Sequence, residues 1–121
     1  MANKREFKKY VEAVGASACD AMMATYYNVE GVDKESIENA IRMVLGAVGA
    51  ARSNADVTFD KGVKAFDTMK DYSKAKAEFY KKLFSKINND FAQSIDEAIK
   101  VFNAAIPQSV RDSYKEALSG L

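Results

Sequence analysis

The sequence predicts an all-α fold, an antiparallel bundle of four helices plus a short C-terminal helix, in a single domain over residues 1–121. Apolar residues recur at steps of three and four through most of the chain, which is the period of an amphipathic helix. Capping and turn residues separate the periodic segments. The composition is 48% hydrophobic and 29% charged, which is typical of a globular protein with its own core.

The longest periodic segment, residues 74–105, is predicted to form the central helix of the bundle. Its stripe consists of Tyr80, Phe84, Ile87, Phe91, Ser94, Ala98, Val101 and Ala105, and is widened by Leu83, Ile95, Ile99, Phe102 and Ile106. A helix of this length measures roughly 48 Å, because each residue adds about 1.5 Å. Residues 88–90 favour helix ends, but the apolar stripe passes through them without a change of phase and predicts continuity. Pro107 ends the helix, since a proline pushes the residue before it out of helical geometry.

The first half of the chain predicts a helical hairpin. A helix over residues 4–28 begins with Asn3 as N-cap and Glu6 in a capping box. A second helix begins after the N-cap Asp33 and ends near residues 52–54. Because only about five residues join the two helices, we expect them to be antiparallel neighbours.

The segment between the hairpin and the central helix predicts a third helix over about residues 58–70. Gly62 interrupts its pattern, and the alternative is that this segment continues into the central helix as one element of more than 40 residues. After Pro107, a short amphipathic C-terminal helix is expected. Its apolar residues are Val110, Tyr114, Ala117 and Leu118.

The charge and residue inventory excludes several classes of function. The net charge is +1, which gives no overall preference for nucleic acid or for an acidic partner. Cys19 is the only cysteine and there is no histidine, so an intrachain disulfide, a Cys/His zinc site and histidine-based catalytic pairs are excluded. Gly46 and Gly49 lack the third glycine and the preceding strand of a dinucleotide motif. We therefore expect a non-enzymatic protein without a metal or cofactor.

The sequence also predicts a cytoplasmic location. A single cysteine fits a reducing compartment. Residues 1–10 are charged and lack the apolar core of a signal peptide. The longest apolar run, residues 43–51, is too short to span a bilayer.

Small residues occupy the middle of both hairpin helices, around Gly15 and Gly46. A glycine inside a helix costs about 1 kcal/mol relative to alanine, so we expect a close helix crossing at this height, which is a candidate site for a small ligand. Cys19 and Asp20 flank the crossing. A buried, inert thiol is favoured for Cys19, because it lies mid-helix among alanines without a nearby cation. A position at the edge of the stripe, in contact with water, is favoured for Asp20.

Residues 61–86 carry eight lysines against three acidic residues, a net charge of +5. Lys70, Lys74 and Lys81 lie near one another on a helical face, so nucleic acid or an anionic surface is a candidate partner. The lack of arginine in this run favours a solvated face instead, since phosphate and base recognition favour arginine. Residues 20–41 carry five carboxylates against Lys34. These basic and acidic zones can pair within one bundle or between subunits.

The opening MANKREFKK, residues 1–9, resembles the start of a group of short, uncharacterised helical proteins from gut and oral Bacteroidetes. The segment FAQSIDE, residues 91–97, is similar to their last helix. The resemblance implies a helical fold and a cytoplasmic origin, and it transfers no site residue and no function. It also implies that residues 54–78 and the tail after Pro107 are additions, and Cys19 departs from the cysteine positions of the group.

The leading functional prediction is an interaction or scaffold protein that self-associates as a homodimer. The hairpin helices are expected to measure roughly 39 Å and 30 Å, so part of the longer central stripe is expected to stay uncovered. An uncovered apolar face is a candidate surface for a second copy. The predicted seam comprises Phe91, Ile95 and Phe102. Nucleic-acid or anionic-surface binding through the lysine face and small-molecule binding at the glycine crossing are the alternatives.

Overall fold

The structure, a computed structural model, describes residues 4–108, and these residues form three α-helices: α1 (Lys4–Asn28), α2 (Lys34–Asn54) and α3 (Met69–Ala104). The all-α prediction is confirmed, since residues 4–108 contain no β-strand. The predicted bounds of the first helix agree with α1. The Asn3 cap and the C-terminal helix predicted after Pro107 lie outside the described residues.

The turn between α1 and α2 forms as its residues predict. Gly31 has a φ of 81°, a backbone conformation that glycine adopts without steric cost. Asp33 caps α2, and its carboxylate accepts hydrogen bonds from the Ser36 amide at 3.3 Å and the Ser36 hydroxyl at 2.9 Å. The Asp33 amide also donates to the Ala105 carbonyl oxygen at 2.9 Å. This bond ties the α1–α2 turn to the end of α3, so α1 and α3 run in the same direction on either side of α2.

α2 packs along both other helices and contributes to both halves of the core. One half surrounds the start of α1 and the end of α2; its buried residues are Phe7, Val11, Ala47, Ala51, Ala55, Ile87 and Phe91. The other half surrounds the α1–α2 turn; its buried residues are Met22, Ile37, Ala40, Val44, Ala98 and Ala105. The many alanines on the buried stripe of α2 let its backbone approach both neighbours closely.

The predicted third helix over residues 58–70 is wrong, and so is its alternative, one continuous helix from 58 to 105. Residues 55–68, which we call the strap, contain only a 3-10 turn, Val63–Ala65. Phe59 and Phe66 turn towards α3, where the Phe59 ring lies 5.4 Å from the Phe79 ring and the Phe66 ring 5.8 Å from the Tyr72 ring. These two rings therefore pack on α3 instead of forming the apolar side of a separate helix.

α3 begins five residues earlier than the predicted position 74. Thr68 has an extended backbone with φ −135°, and its hydroxyl oxygen accepts a hydrogen bond from the Asp71 amide at 3.1 Å. A threonine N-cap of this kind starts a new helix. The helix then continues through residues 88–90 as predicted and spans 36 residues.

Candidate functional site

An open groove with an apolar lining lies between α1 and α3. It has a volume of about 560 Å³, within the range of small-ligand and helix-binding clefts. We call it the α1–α3 groove. It is lined by Ala13, Val14, Ser17, Ala18, Ala21, Met22, Ile95, Ile99, Phe102 and Asn103. None of these ten side chains is charged, and only Ser17 and Asn103 carry polar groups.

The groove exists because large side chains join α1 to α3 at only one end. There, the Phe7 ring lies 5.5 Å from the Phe84 ring and the Tyr10 ring 6.4 Å from the Phe91 ring, both in edge contacts. From Ala13 onwards α1 presents small side chains to this side, and the α1 and α3 backbones hardly approach each other. Side chains of this size do not fill the space between two helices, so the seam stays open.

The structure places one of the three predicted seam residues in the core and the other two in the groove. Phe91 is 4% exposed and packs in the core against Tyr10, so the prediction that it lies on an uncovered seam is wrong. Its ring fills the closed end, where α1 supplies aromatic neighbours. Ile95 and Phe102 are half-buried and line the α1–α3 groove, next to Ile99, which is 39% exposed.

The predicted glycine crossing is half correct. Gly15 is buried, and a Cβ atom at this position would lie 2.5 Å from Val48 Cγ2, so α1 does approach α2 closely here. Gly46, however, lies exposed on the outer side of α2 with nothing within 4 Å of its Cβ position. The reason is the helical period: Val44, Ala47 and Val48 face α1 and the core, and Gly46 faces away. The four predicted residues therefore form no common pocket.

Neither Cys19 nor Asp20 is placed for a reaction at the helix crossing. Asp20 is exposed, as favoured. Cys19 is half-buried, and burial together with the neighbouring Asp20 carboxylate raises the pKa of its thiol above the ordinary value. A raised pKa keeps the thiol protonated near neutral pH, which opposes nucleophilic reactivity.

The lysine face lies exposed on α3, where the structure places Lys70, Lys74 and Lys81. The Phe7–Phe84 contact brings the basic start of α1, with Lys8 and Lys9, to the same end of the molecule. Binding of nucleic acid or an anionic surface stays an untested prediction. The aromatic rings nearby pack on one another, as Phe59 and Phe79 do, and so are not free to stack on bases.

The charges are divided between the two ends of the bundle. The basic end, residues 4–12 and 52–90, has 13 basic and 8 acidic residues, a net charge of +5. The acidic end, residues 13–51 and 91–108, has 3 basic and 7 acidic residues, a net charge of −4. The acidic zone of residues 20–41 therefore lies at the far end from the lysines, so the two zones do not pair within one chain.

Asp56, at the start of the strap, is held by two lysines of α1. Its Oδ1 lies 2.7 Å from the Nζ atoms of both Lys4 and Lys8. The hydrogen bonds from these ammonium groups, first Lys4 and then Lys8, lower the pKa of Asp56 to about 2. The pair links the strap to α1 across the basic end.

The substitution Asp56→Asn should make the stability of the fold less dependent on pH in the acidic range. Because the folded-state pKa lies below the ordinary 3.8, the ionised carboxylate stabilises the fold above that pH, and its contribution is lost as the pH falls from 3.8 through about 2. We expect a lower urea midpoint than that of the parent protein at pH 7, and a difference that shrinks as the pH falls below 3.8 and vanishes only below the folded pKa, at about pH 1. Asp60→Asn removes the same charge from the strap and serves as control. A difference that stays constant from pH 7 to about pH 1 would contradict this origin.

Sequence reasoning missed the α1 wall of the groove, formed by Ala13, Ser17 and Ala21. These residues repeat at steps of four on an exposed side of α1. A run of small residues at that spacing, opposite the buried Val11 and Met22, was the signal that could have identified the wall. The groove lining carries no charged side chain, and its polar groups are those of Ser17 and Asn103.

No helix within residues 4–108 is long and apolar enough to cross a membrane. In the same part of the chain, no three Cys, Asp or Glu side chains come together as a metal site. The resemblance to Bacteroidetes proteins stays a prediction. No protein-family model, no curated protein and no solved structure matches this chain.

Proposed function

We propose that this protein is a non-enzymatic interaction protein that self-associates as a homodimer through the α1–α3 groove. The observation that carries the proposal is the uncharged, largely apolar lining of a groove that the described chain leaves open. Apolar surface exposed to water favours association, at about 25 cal/mol per Å² buried.

A second copy is the occupant that the shape of the groove favours. One wall is formed by the small side chains of α1, and the other by a ridge of larger ones on α3, Ile95, Ile99 and Phe102. A two-fold axis lays this lining of one copy on the same lining of the other, which is how a symmetric dimer uses one surface patch on both subunits. A second copy also matches in charge, because the basic end of one copy can attract the acidic end of the other.

The decisive experiment compares Ile99→Glu with Leu45→Glu. Ile99 lies in the groove, whereas Leu45 is 60% exposed on the outer side of α2, so the two variants make the same chemical change at two exposed sites. An unpaired carboxylate buried in an apolar interface is costly, and we expect Ile99→Glu to raise the dimer Kd by at least about tenfold. Leu45→Glu should leave the Kd unchanged. Light scattering after size-exclusion chromatography measures both.

Two results would overturn the proposal. One is a parent protein that stays monomeric up to about 1 mM, the weak limit of specific association. The other is equal weakening of the dimer by both variants, which would show a general effect of added charge. A monomer that Ile99→Glu destabilises towards urea would instead show that the stripe is covered within one chain.

A further inference from the structure

The division of charge between the two ends determines how two copies can align. We propose that the copies lie side by side and antiparallel, with the basic end of each next to the acidic end of the other; this inference rests on the proposed function. Residues 20–41 are acidic and lie at the opposite end from the lysines of α3. The two zones therefore meet between subunits and not within one.

The parallel alternative places like charges together. The ends carry +5 and −4, so a parallel pair brings two basic ends and two acidic ends into contact. Like charges brought together oppose association and opposite charges favour it. The groove runs along the side of the molecule between α1 and α3, so it directs the copies side by side. End-to-end stacking would satisfy the charges but would leave the apolar lining in water.

Two exposed positions on α1 allow the relative orientation of the two copies to be measured. Lys9 and Tyr27 are both exposed and lie 18 residues apart, which is five helical turns, so they share one side of α1 and are separated by about 27 Å along its axis. In an antiparallel pair centred near Ser17, Lys9 of one copy lies beside Tyr27 of the other. In a parallel pair, each residue lies beside its own equivalent.

Spin labels at these two positions distinguish the two arrangements. Lys9→Cys and Tyr27→Cys are each made in the full chain with Cys19→Ser, labelled, and studied by pulsed dipolar spectroscopy alone and as a mixture. The antiparallel pair gives a short distance only in the mixture, and each sample alone gives a distance longer by roughly 20 Å or more. Short distances in the separate samples would overturn the inference and leave the dimer intact. No dipolar coupling in any sample would overturn the proposed function itself.

The salt dependence of the dimer Kd is an independent test of the alignment. Screening weakens attraction between opposite charges, so we expect the dimer Kd to rise by about three- to tenfold as salt increases from about 0.05 M to about 0.5 M. A Kd that falls with salt would indicate the parallel pair. A mass that grows beyond the dimer with concentration would indicate end-to-end stacking, and both results overturn the inference.

Two matched pairs of substitutions at the basic end test the charge directly. Lys81→Gln with Lys82→Gln lowers the positive charge of that end, and we expect a Kd about threefold higher at low salt and unchanged at high salt. Asp60→Asn with Asp67→Asn raises the positive charge of the same end and should lower the Kd by a similar factor. Equal shifts in one direction would show an effect unrelated to charge and would count against the antiparallel pair.

Discussion

Phe91→Ala is expected to lower the free energy of unfolding by about 3–5 kcal/mol, the range for truncating a buried aromatic ring. Phe91 is 4% exposed and lies in the core cluster with Phe7 and Ile87. Its ring also makes the edge contact with Tyr10 that holds α1 against α3. Truncation leaves a cavity at the one place where these two helices meet, and urea denaturation followed by circular dichroism measures the loss.

Leu45→Ala is the matched control for this experiment. Leu45 is 60% exposed on α2, and alanine is at least as favourable in a helix, so the expected change is within about 1 kcal/mol. If the parent protein dimerises, a Phe91→Ala protein that keeps its stability but is monomeric would show that Phe91 lies at the interface and not in the core. The two effects are therefore separable by measuring unfolding and molar mass on the same sample.

Gly15→Val is expected to lower the free energy of unfolding by about 3 kcal/mol, the upper part of the range for overpacking a core. A single added carbon at Gly15 would already lie 2.5 Å from Val48 Cγ2 and 3.8 Å from Val44 Cγ1. Valine adds two further carbons at the same place. Val48 is β-branched and has one strongly preferred rotamer in a helix, so α1 and α2 must separate to accept the new side chain.

The control for Gly15→Val is the same substitution at Gly46. A Cβ atom at Gly46 meets nothing within 4 Å, so Gly46→Val should change the free energy of unfolding by less than about 1 kcal/mol. The change should be an increase, because valine is more favourable in a helix than glycine. Both substitutions change intrinsic propensity equally. The difference between them therefore measures the close approach of α1 and α2 at Gly15, and equal effects would show that no such contact exists.

The start of α2 could be predicted from its capping residue, whereas the Thr68 cap that starts α3 was missed. Asp33 forms the expected cap on α2, because an aspartate side chain satisfies amide groups at a helix start wherever the chain is placed. α1 and the continuity of α3 through residues 88–90 followed from apolar period alone. These are local properties, and local properties can be derived from local sequence.

The strap could not be predicted, because its conformation depends on contacts distant in sequence. Phe59 and Phe66 have helical spacing relative to Val63, yet their rings stack on each other with centroids 6.2 Å apart and pack on α3. The Phe59 amide donates to the Tyr80 hydroxyl at 3.2 Å. The exposed first turns of α3 give these rings more burial than a separate short helix offers, and tertiary contact overrides weak propensity.

The candidate site was predictable only in part for the same reason. Ile95 and Phe102 line the groove, but whether a stripe residue is covered depends on which neighbour lies opposite. Phe91 meets Tyr10 and is buried, whereas Ile99 meets the small wall of α1 and is exposed. The sequence shows the apolar period of both positions equally. Only the relative placement of α1 and α3 decides which stripe residues lie in the core and which line the open groove.

The unequal lengths of the two connections have a consequence for the order in which the helices assemble. Five residues separate α1 from α2, and fourteen separate α2 from α3. Loop-closure entropy grows slowly with length, and this difference amounts to only about 1 kcal/mol. It nevertheless favours an α1–α2 hairpin that forms early, with Gly15 seated on Val48, before α3 arrives. The transition state for folding is then expected to contain the hairpin contacts, with the strap and the first turns of α3 ordering last.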